Sequence, residues 1–212
     1  MAEGLCLRNV AIRQGAIPLL TVEASIPPGE VLTLMGPSGS GKSTLLAWIM
    51  GALPAGFSAT GAVRLEERDL AGLPPEARKI GILYQDPLLF PHLDVAANLA
   101  FGLPRDRARG RARATLVEDA LAQIALKGYG PRDPATLSGG QAARVALMRV
   151  LLSEPRALLL DEPFAKLDAA LRGQVRDLVF ARARAAGVPI LLVTHDAADA
   201  EAAGGRVIRI GD

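Results

Sequence analysis

Residues 36–43, Gly-Pro-Ser-Gly-Ser-Gly-Lys-Ser, place three glycines and a lysine between a short apolar run at 30–35 and a helix-compatible run at 44–50. Such a stretch cannot extend a strand, so it dictates a strand, a tight turn and a helix in that order. The pattern G-x-x-x-x-G-K-[ST] in this setting turns backbone N–H groups inward at the positive end of a helix, which makes a cradle for phosphate. Gly36, Pro37, Ser38, Gly39, Ser40, Gly41, Lys42, Ser43 and Thr44 are the candidate nucleotide contacts. Lys42 would reach the β- and γ-phosphates, and the Ser43 hydroxyl would ligand Mg2+.

Apolar runs at 30–35, 79–84, 157–160 and 189–194 alternate with stretches of helical period, the pattern of a mostly parallel sheet covered by helices. The expected fold is α/β, with the core of a phosphate-loop NTPase. The last three runs are each followed by a polar residue, Gln85, Asp161 or His195, as where strand ends in an open sheet face a ligand crevice. Residues 4–10 and 19–26, closed by Pro27-Pro28-Gly29, read as an N-terminal antiparallel β element. From 86 to 152 the period turns helical, with apolar residues at Leu116, Ala120, Leu121 and Ile124 and at Val145, Leu147, Val150 and Leu151. The organisation expected is one domain over 1–212, with a nucleotide-binding core at 1–85 and 153–212 and an inserted helical subdomain at 86–152.

Composition narrows the partners. Lys and Arg number 24 against 22 Asp and Glu, a formal charge of +2, which demands no nucleic acid. Residues 105–113 hold five arginines and read as a solvated loop and first helical turn, with phosphate binding as the rival reading. The lone Cys6 reads as a small buried apolar residue, and no Cys/His spacing suits zinc. No segment approaches the roughly 18 apolar residues that span a bilayer, so a cytosolic chain is expected.

Two further motifs carry chemistry. Leu158-Leu159-Leu160-Asp161-Glu162 is a buried strand ending in adjacent carboxylates. Period two places them on opposite faces, so Asp161 is assigned to the metal and Glu162 to the general base or water-orienting role. Ser138-Gly139-Gly140-Gln141 opens a helical stretch and makes a second anion site. One phosphate loop has no use for two such sites on one nucleotide. The second site therefore serves another copy of the chain, and a two-fold dimer sandwiches two ATP molecules.

Taken in order, GPSGSGKST, Gln85 after a strand, LSGGQ, LLLDEP and Thr194-His195-Asp196 together resemble the ATPase subunit of ABC transporters, over about residues 5–210. The segment QDPLLFPHLDVAANLAFGL resembles bacterial importers, and VLTLMGPSGSGKSTLLAWIMGAL is similar to the YnjD-type subunits. The resemblance implies that Gln85 senses Mg2+ and the γ-phosphate, and that Leu88, Leu89, Phe90 and Pro91 meet the permease. It implies that Ser138, Gly139 and Gly140 contact the γ-phosphate in trans, with Gln141 beside them, that Asp168 contacts the second copy, and that His195 is a switch near the γ-phosphate. His92 is read as structural. Catalysis would fall to Glu162, His195 and Gln85, and the metal to Ser43, Gln85 and Asp161. Implied partners are a second copy, integral membrane permease subunits and a periplasmic or extracellular solute-binding protein. The chain would then sit on the cytoplasmic face of the inner membrane.

Departures from the family pattern are equally plain. Where an aromatic residue usually stacks on adenine the chain has Ile12-Arg13-Gln14, with Arg13 or a neighbour as the substitute and a solvated arginine as the rival reading. Ala165 stands where Ser is common, and Ala142-Ala143 follow LSGGQ where polar residues are common. Trp48 reads as packing. From the length, no extra C-terminal regulatory domain is expected. Two rivals remain: a soluble ABC-type ATPase acting on nucleic acid or in translation, and a regulatory module that binds nucleotide without turnover, against which Glu162 and His195 argue.

Overall fold

The computed structural model describes residues 4–211, apart from the side chains of residues 169 and 170. The chain divides into two compact units. One runs up to Ile82 and takes in Arg156–Glu162 and the chain from Phe180; the other comprises Leu83–Pro155 and Pro163–Val179.

In the first unit β1 (Leu5–Gln14) and β2 (Ile17–Ile26) form an antiparallel hairpin across a turn at Gly15 and Ala16. Alternation drives it: Leu20, Val22, Ala24 and Ile26 are buried while Thr21, Glu23 and Ser25 between them are exposed. The sequence reading placed these two strands but not their partners, β4 (Phe57–Leu65) and the two-residue β5 (Arg68–Asp69), which complete the sheet order β2-β1-β4-β5. The composition of β4 hides it, because Gly61 interrupts the run. Gly61 stands at φ +99 opposite the register shift of β1, where a Cβ would press on the carbonyls of Arg8 and Asn9.

The second sheet holds β6 (Ile80–Leu83), β7 (Ala157–Asp161), β8 (Ile190–Val193), β3 (Val31–Met35) and β9 (Arg206–Arg209), in that spatial order. The pairs of β3 with β8 and β9, and of β7 with β8, are parallel. Every residue of β3, β7 and β8 is buried, as strands covered on both faces require. Strand β9, unanticipated from sequence, carries arginines at both ends on the sheet's edge. Leu5, Ile12, Leu34, Leu46, Ile49, Leu159 and Leu191 belong to one core shared by both sheets and by α1 (Lys42–Met50). Trp48 packs against that core and Cys6 is buried.

Within this unit the C-terminal end of α1 is closed by a side chain from far along the sequence. Arg78 donates to the carbonyls of Ile49 (2.6 Å), Trp48 (3.3 Å) and Leu73 (2.9 Å). A cation there also meets the negative end of the helix dipole.

The second unit is built from α2 (Val95–Gly102), α3 (Gly110–Gln123), α4 (Gly139–Leu152) and the start of α5 (Ala169–Ala185). Val95, Leu99, Val117, Leu121, Ile124, Val145 and Met148 form its core. The arginine run divides by function. Arg113 folds back onto the end of α2 and donates to the carbonyls of Ala100 (2.5 Å), Leu103 (2.8 Å) and Pro104 (3.0 Å). Arg105, Arg107, Arg109 and Arg111 are exposed. Arg113→Ala is therefore expected to cost roughly 1–2 kcal/mol, a fall of about 3–6 °C in thermal midpoint for a chain of this size, whereas Arg109→Ala should leave the midpoint unchanged.

Candidate active site

The first unit assembles its polar residues at the C-terminal ends of three neighbouring strands, β7, β8 and β3. The loop after β3 turns through left-handed Gly39 (φ +81) and Gly41 (φ +86), the latter directly preceding α1. No residue with a β-carbon adopts these angles without strain. Space is open around Gly39, since a Cβ there would meet nothing within 4 Å. Lys42 is buried, and its ammonium donates to the carbonyls of Gly36 (2.9 Å) and Pro37 (2.6 Å) and to Ser40 Oγ (3.1 Å). Its three donors thus hold the loop's curvature.

Asp161 is the last residue of β7 and is buried. Burial pushes its carboxyl above the ordinary value, Glu162 pushes it the same way, and a hydrogen bond with the Ser43 side chain and the charge of Lys42 oppose the shift. Burial likewise lowers the Lys42 ammonium, against which Glu162 acts more strongly than Asp161.

The backbone at Glu162 departs from the regular strand that the period-two argument assumes. Glu162 does not continue β7 but takes φ +47, a left-handed conformation rare outside glycine, while its N–H still bonds the Val193 carbonyl at 2.9 Å. The chain turns as it leaves the strand. Alternation no longer applies, and both carboxylates act on the same ammonium. A non-glycine residue held in this region stores strain of about 1–3 kcal/mol, the kind of outlier that clusters at working sites.

His195 follows β8 and is mostly exposed, its Nδ1 lying 3.1 Å from Glu162 Oε1. With the proton on Nδ1 the ring donates to the carboxylate and leaves Nε2 facing outward as an acceptor; the imidazolium would donate from both nitrogens. Thr194 and Asp196 serve the chain locally: Thr194 Oγ1 accepts from the Asp196 N–H, and Asp196 caps α6 (Ala197–Ala203) by accepting from Ala198 N–H.

Three remaining predicted groups lie in the second unit. Ser138 caps α4: its Oγ accepts from the Gln141 N–H at 3.3 Å, and the Gln141 side chain accepts from the Ser138 N–H at 2.9 Å. The Gln141 amide also reaches the Tyr129 hydroxyl, so this side chain is spent on shaping the turn. The Ser138 O–H remains a donor, beside the exposed Gly139, where added atoms would meet nothing within 4 Å. Gly140 backs onto the 163–168 turn, with the Lys166 carbonyl 3.1 Å from where its Cβ would stand. Asp168 caps α5, accepting from Leu171 N–H at 3.1 Å. Gln85 is exposed just after β6, and the next residue, Asp86, pairs with Lys166 at 2.7 Å. Arg13 in the first unit donates to the Ala16 carbonyl inside its own hairpin.

Sequence reasoning passed over Asn98 and Arg149. Asn98 is fully buried on α2, and Arg149 sits in the apolar run of α4. A polar residue amid a core-facing helical pattern was the available signal.

With this geometry in place the family follows. The model of a family described as ABC transporter matches residues 19–165. The chain belongs to the ABC transporter family. It is 51% identical over 93% of its length to YnjD, an uncharacterized ABC transporter ATP-binding protein of Escherichia coli (strain K12), of which it covers 91%. It is 41% identical over 98% of its length to the thiamine import ATP-binding protein ThiQ of Jannaschia sp. (strain CCS1), of which it covers 89%. Among solved structures it resembles the dimeric post-hydrolysis state of the ATP-binding cassette MJ0796 bound to ADP and Pi, with a TM-score of 0.83 and 29% identity, covering 97% of this chain and 94% of that one. The α/β reading with a parallel sheet, a separate antiparallel sheet and helices stands. This ABC protein is an ATP-binding subunit and an ATPase.

Proposed function

We propose that two copies of this ABC ATPase close around two MgATP molecules and power an integral membrane permease for solute import, together with a periplasmic or extracellular solute-binding protein. The observation that carries the reading is the convergence of Lys42, Asp161, Glu162 and His195 on the ends of adjacent parallel strands beside a left-handed glycine loop. Lys42 and the loop N–H groups bind the β- and γ-phosphates. Glu162, held by His195, takes the proton of the attacking water. Ser138, Gly139 and Gly140 of the second copy supply donors to the γ-phosphate, Gln141 shapes their turn, and Asp168 lies on the same surface.

Asp161 and Ser43 are hard oxygen donors already in contact, and the carboxylate's charge is under-compensated by its surroundings, which suits Mg2+. Gln85 is the third metal contact in this reading. When bound, Mg2+ neutralises charge on the phosphate oxygens. Arg13 offers a planar cation to adenine. The proposed organisation is a nucleotide-binding core at 1–85 and 153–212 and a helical subdomain at 86–152; the compact units differ from it in grouping Pro163–Val179 with the helices. No helix among the described residues is long and apolar enough to cross a membrane. In this reading the transport path lies in the permease, and this subunit docks on its cytoplasmic face.

Asp161→Asn tests the assignment in two directions at once. The folded carboxyl has a raised pKa, so the native state binds the extra proton between the ordinary and the raised value, and stability falls as pH rises through that window. Removing the charge should therefore raise the thermal midpoint at neutral pH. That gain should vanish below the ordinary carboxylate range, while Mg2+-dependent ATP hydrolysis is lost. A variant that hydrolyses normally would overturn the metal assignment.

A further inference from the structure

The residues following Gln85 are held by groups that the family motifs leave unassigned. Arg149 of α4 donates to the carbonyls of Leu88 (2.9 Å) and Pro87 (3.3 Å), reaches Asn98 Oδ1 (3.3 Å), and lies over the Phe90 ring at 5.0 Å. Asn98 completes the clasp. Its Oδ1 accepts from the Phe90 N–H (2.8 Å), and its amide donates to the carbonyls of Phe90, Leu93 and Asp94. Burial depresses the Arg149 guanidinium, as expected of a cation drawn in from solvent. At the end of α2 the backbone of Gly102 lies so close that a Cβ would clash with the Arg149 carbonyl.

What the clasp maintains is not a relaxed loop. Leu88 stands at φ +45, a left-handed conformation unfavourable for a branched side chain, and its side chain is 60% exposed. Phe101, 68% exposed, meets the Phe90 ring edge-on at 4.7 Å. An apolar residue held strained and exposed marks a surface shaped in advance for contact.

The other end of α4 is Ser138, the anion-binding turn. Between Ser138 and Arg149 the helix is uninterrupted, and Val145, Ala146, Leu147 and Met148 are buried along it. At about 1.5 Å per residue the two points lie about 16 Å apart on one rigid element.

We propose that Arg149 is a positioning residue: through it, α4 keeps the 87–93 segment preformed and carries to that segment any displacement of its own N-terminal turn. The inference deepens the ATP-sandwich reading, on which it rests. The contact that Ser138 makes with a partner's nucleotide is thereby felt at Leu88 and Phe90 within the same unit.

Hydrogen exchange on the full chain tests both halves. Without nucleotide, Arg149→Ala should raise exchange over 88–93 about tenfold, the loss of a charged donor to a partly buried carbonyl, and leave 117–124 in α3 unchanged. Arg149→Lys, whose single nitrogen cannot reach both the Leu88 carbonyl and Asn98 Oδ1 as the two guanidinium nitrogens do, should fall between. Equal loosening of 88–93 and of α3, or none, would overturn the clasp. In the Glu162→Gln background MgATP should slow exchange at both 138–142 and 86–93. With Arg149→Ala added, the response at 138–142 should persist and that at 86–93 should disappear. A response at 86–93 that survives without Arg149 overturns the link. Should neither segment respond, the sandwich reading fails and the link with it, while the nucleotide-free comparison still decides the clasp. Lys166→Ala is the control: its pair with Asp86 is exposed on both sides and should shift exchange little.

Discussion

Glu162→Gln is expected to lower the turnover number for MgATP by about two to four orders of magnitude, the usual worth of a positioned general base. The amide keeps the shape of the side chain and still accepts the bond from His195 Nδ1, but it cannot take a proton from water. Nucleotide binding should survive. The Lys42 ammonium is positioned by the carbonyls of Gly36 and Pro37 and by Ser40 Oγ, none of which the substitution touches, so the phosphate contact persists. With the γ-phosphate uncleaved, the ATP-bound dimer should accumulate, seen as a nucleotide-dependent doubling of mass in solution. Undiminished hydrolysis would move the base elsewhere.

Ser138→Asp separates two duties of one residue. Aspartate is as good an N-cap as serine and suits the positive end of α4, so the variant should fold with a thermal midpoint at or above that of the parent. The cap observed here needs only an acceptor for the Gln141 N–H. A γ-phosphate delivered by a second copy needs a donor, and finds instead a carboxylate. In the Glu162→Gln background Ser138→Asp should therefore abolish the ATP-dependent dimer while leaving the affinity of the single chain for ATP within about twofold, since a group that acts only in trans adds nothing to binding in cis. A dimer that still forms would show that the turn at 138–141 does not face the partner's nucleotide.

These two variants lie on features visible in the primary structure, and their visibility has a physical cause. The loop at 36–43 and the turn at 138–141 are local devices: left-handed glycines before α1 in the first, and a serine–glutamine capping box opening α4 in the second. Strands β3, β7 and β8 were legible for a related reason, because burial on both faces leaves a short run almost wholly apolar, with only Thr33 inside β3 and Asp161 at the end of β7. Strand β4 was not legible, because its glycine is required by a register shift in β1, some fifty residues earlier. Nor was the division of the arginine run. Arg113 differs from its neighbours only in that its side chain finds the open carbonyls of α2.

Sequence alone thus determined the phosphate loop, the paired carboxylates, the serine–glycine helix start and the α/β class, since each depends on residues adjacent in the chain. Tertiary structure decided where those groups act. Glu162 turns left-handed as it leaves β7, and its carboxylate meets His195 Nδ1 from the end of β8. Arg149 and Asn98, two polar residues in apolar helices, meet around the carbonyls of 87–94. Both outcomes rest on hydrogen bonds between segments distant in sequence, to which the periodicity of neighbouring residues is blind.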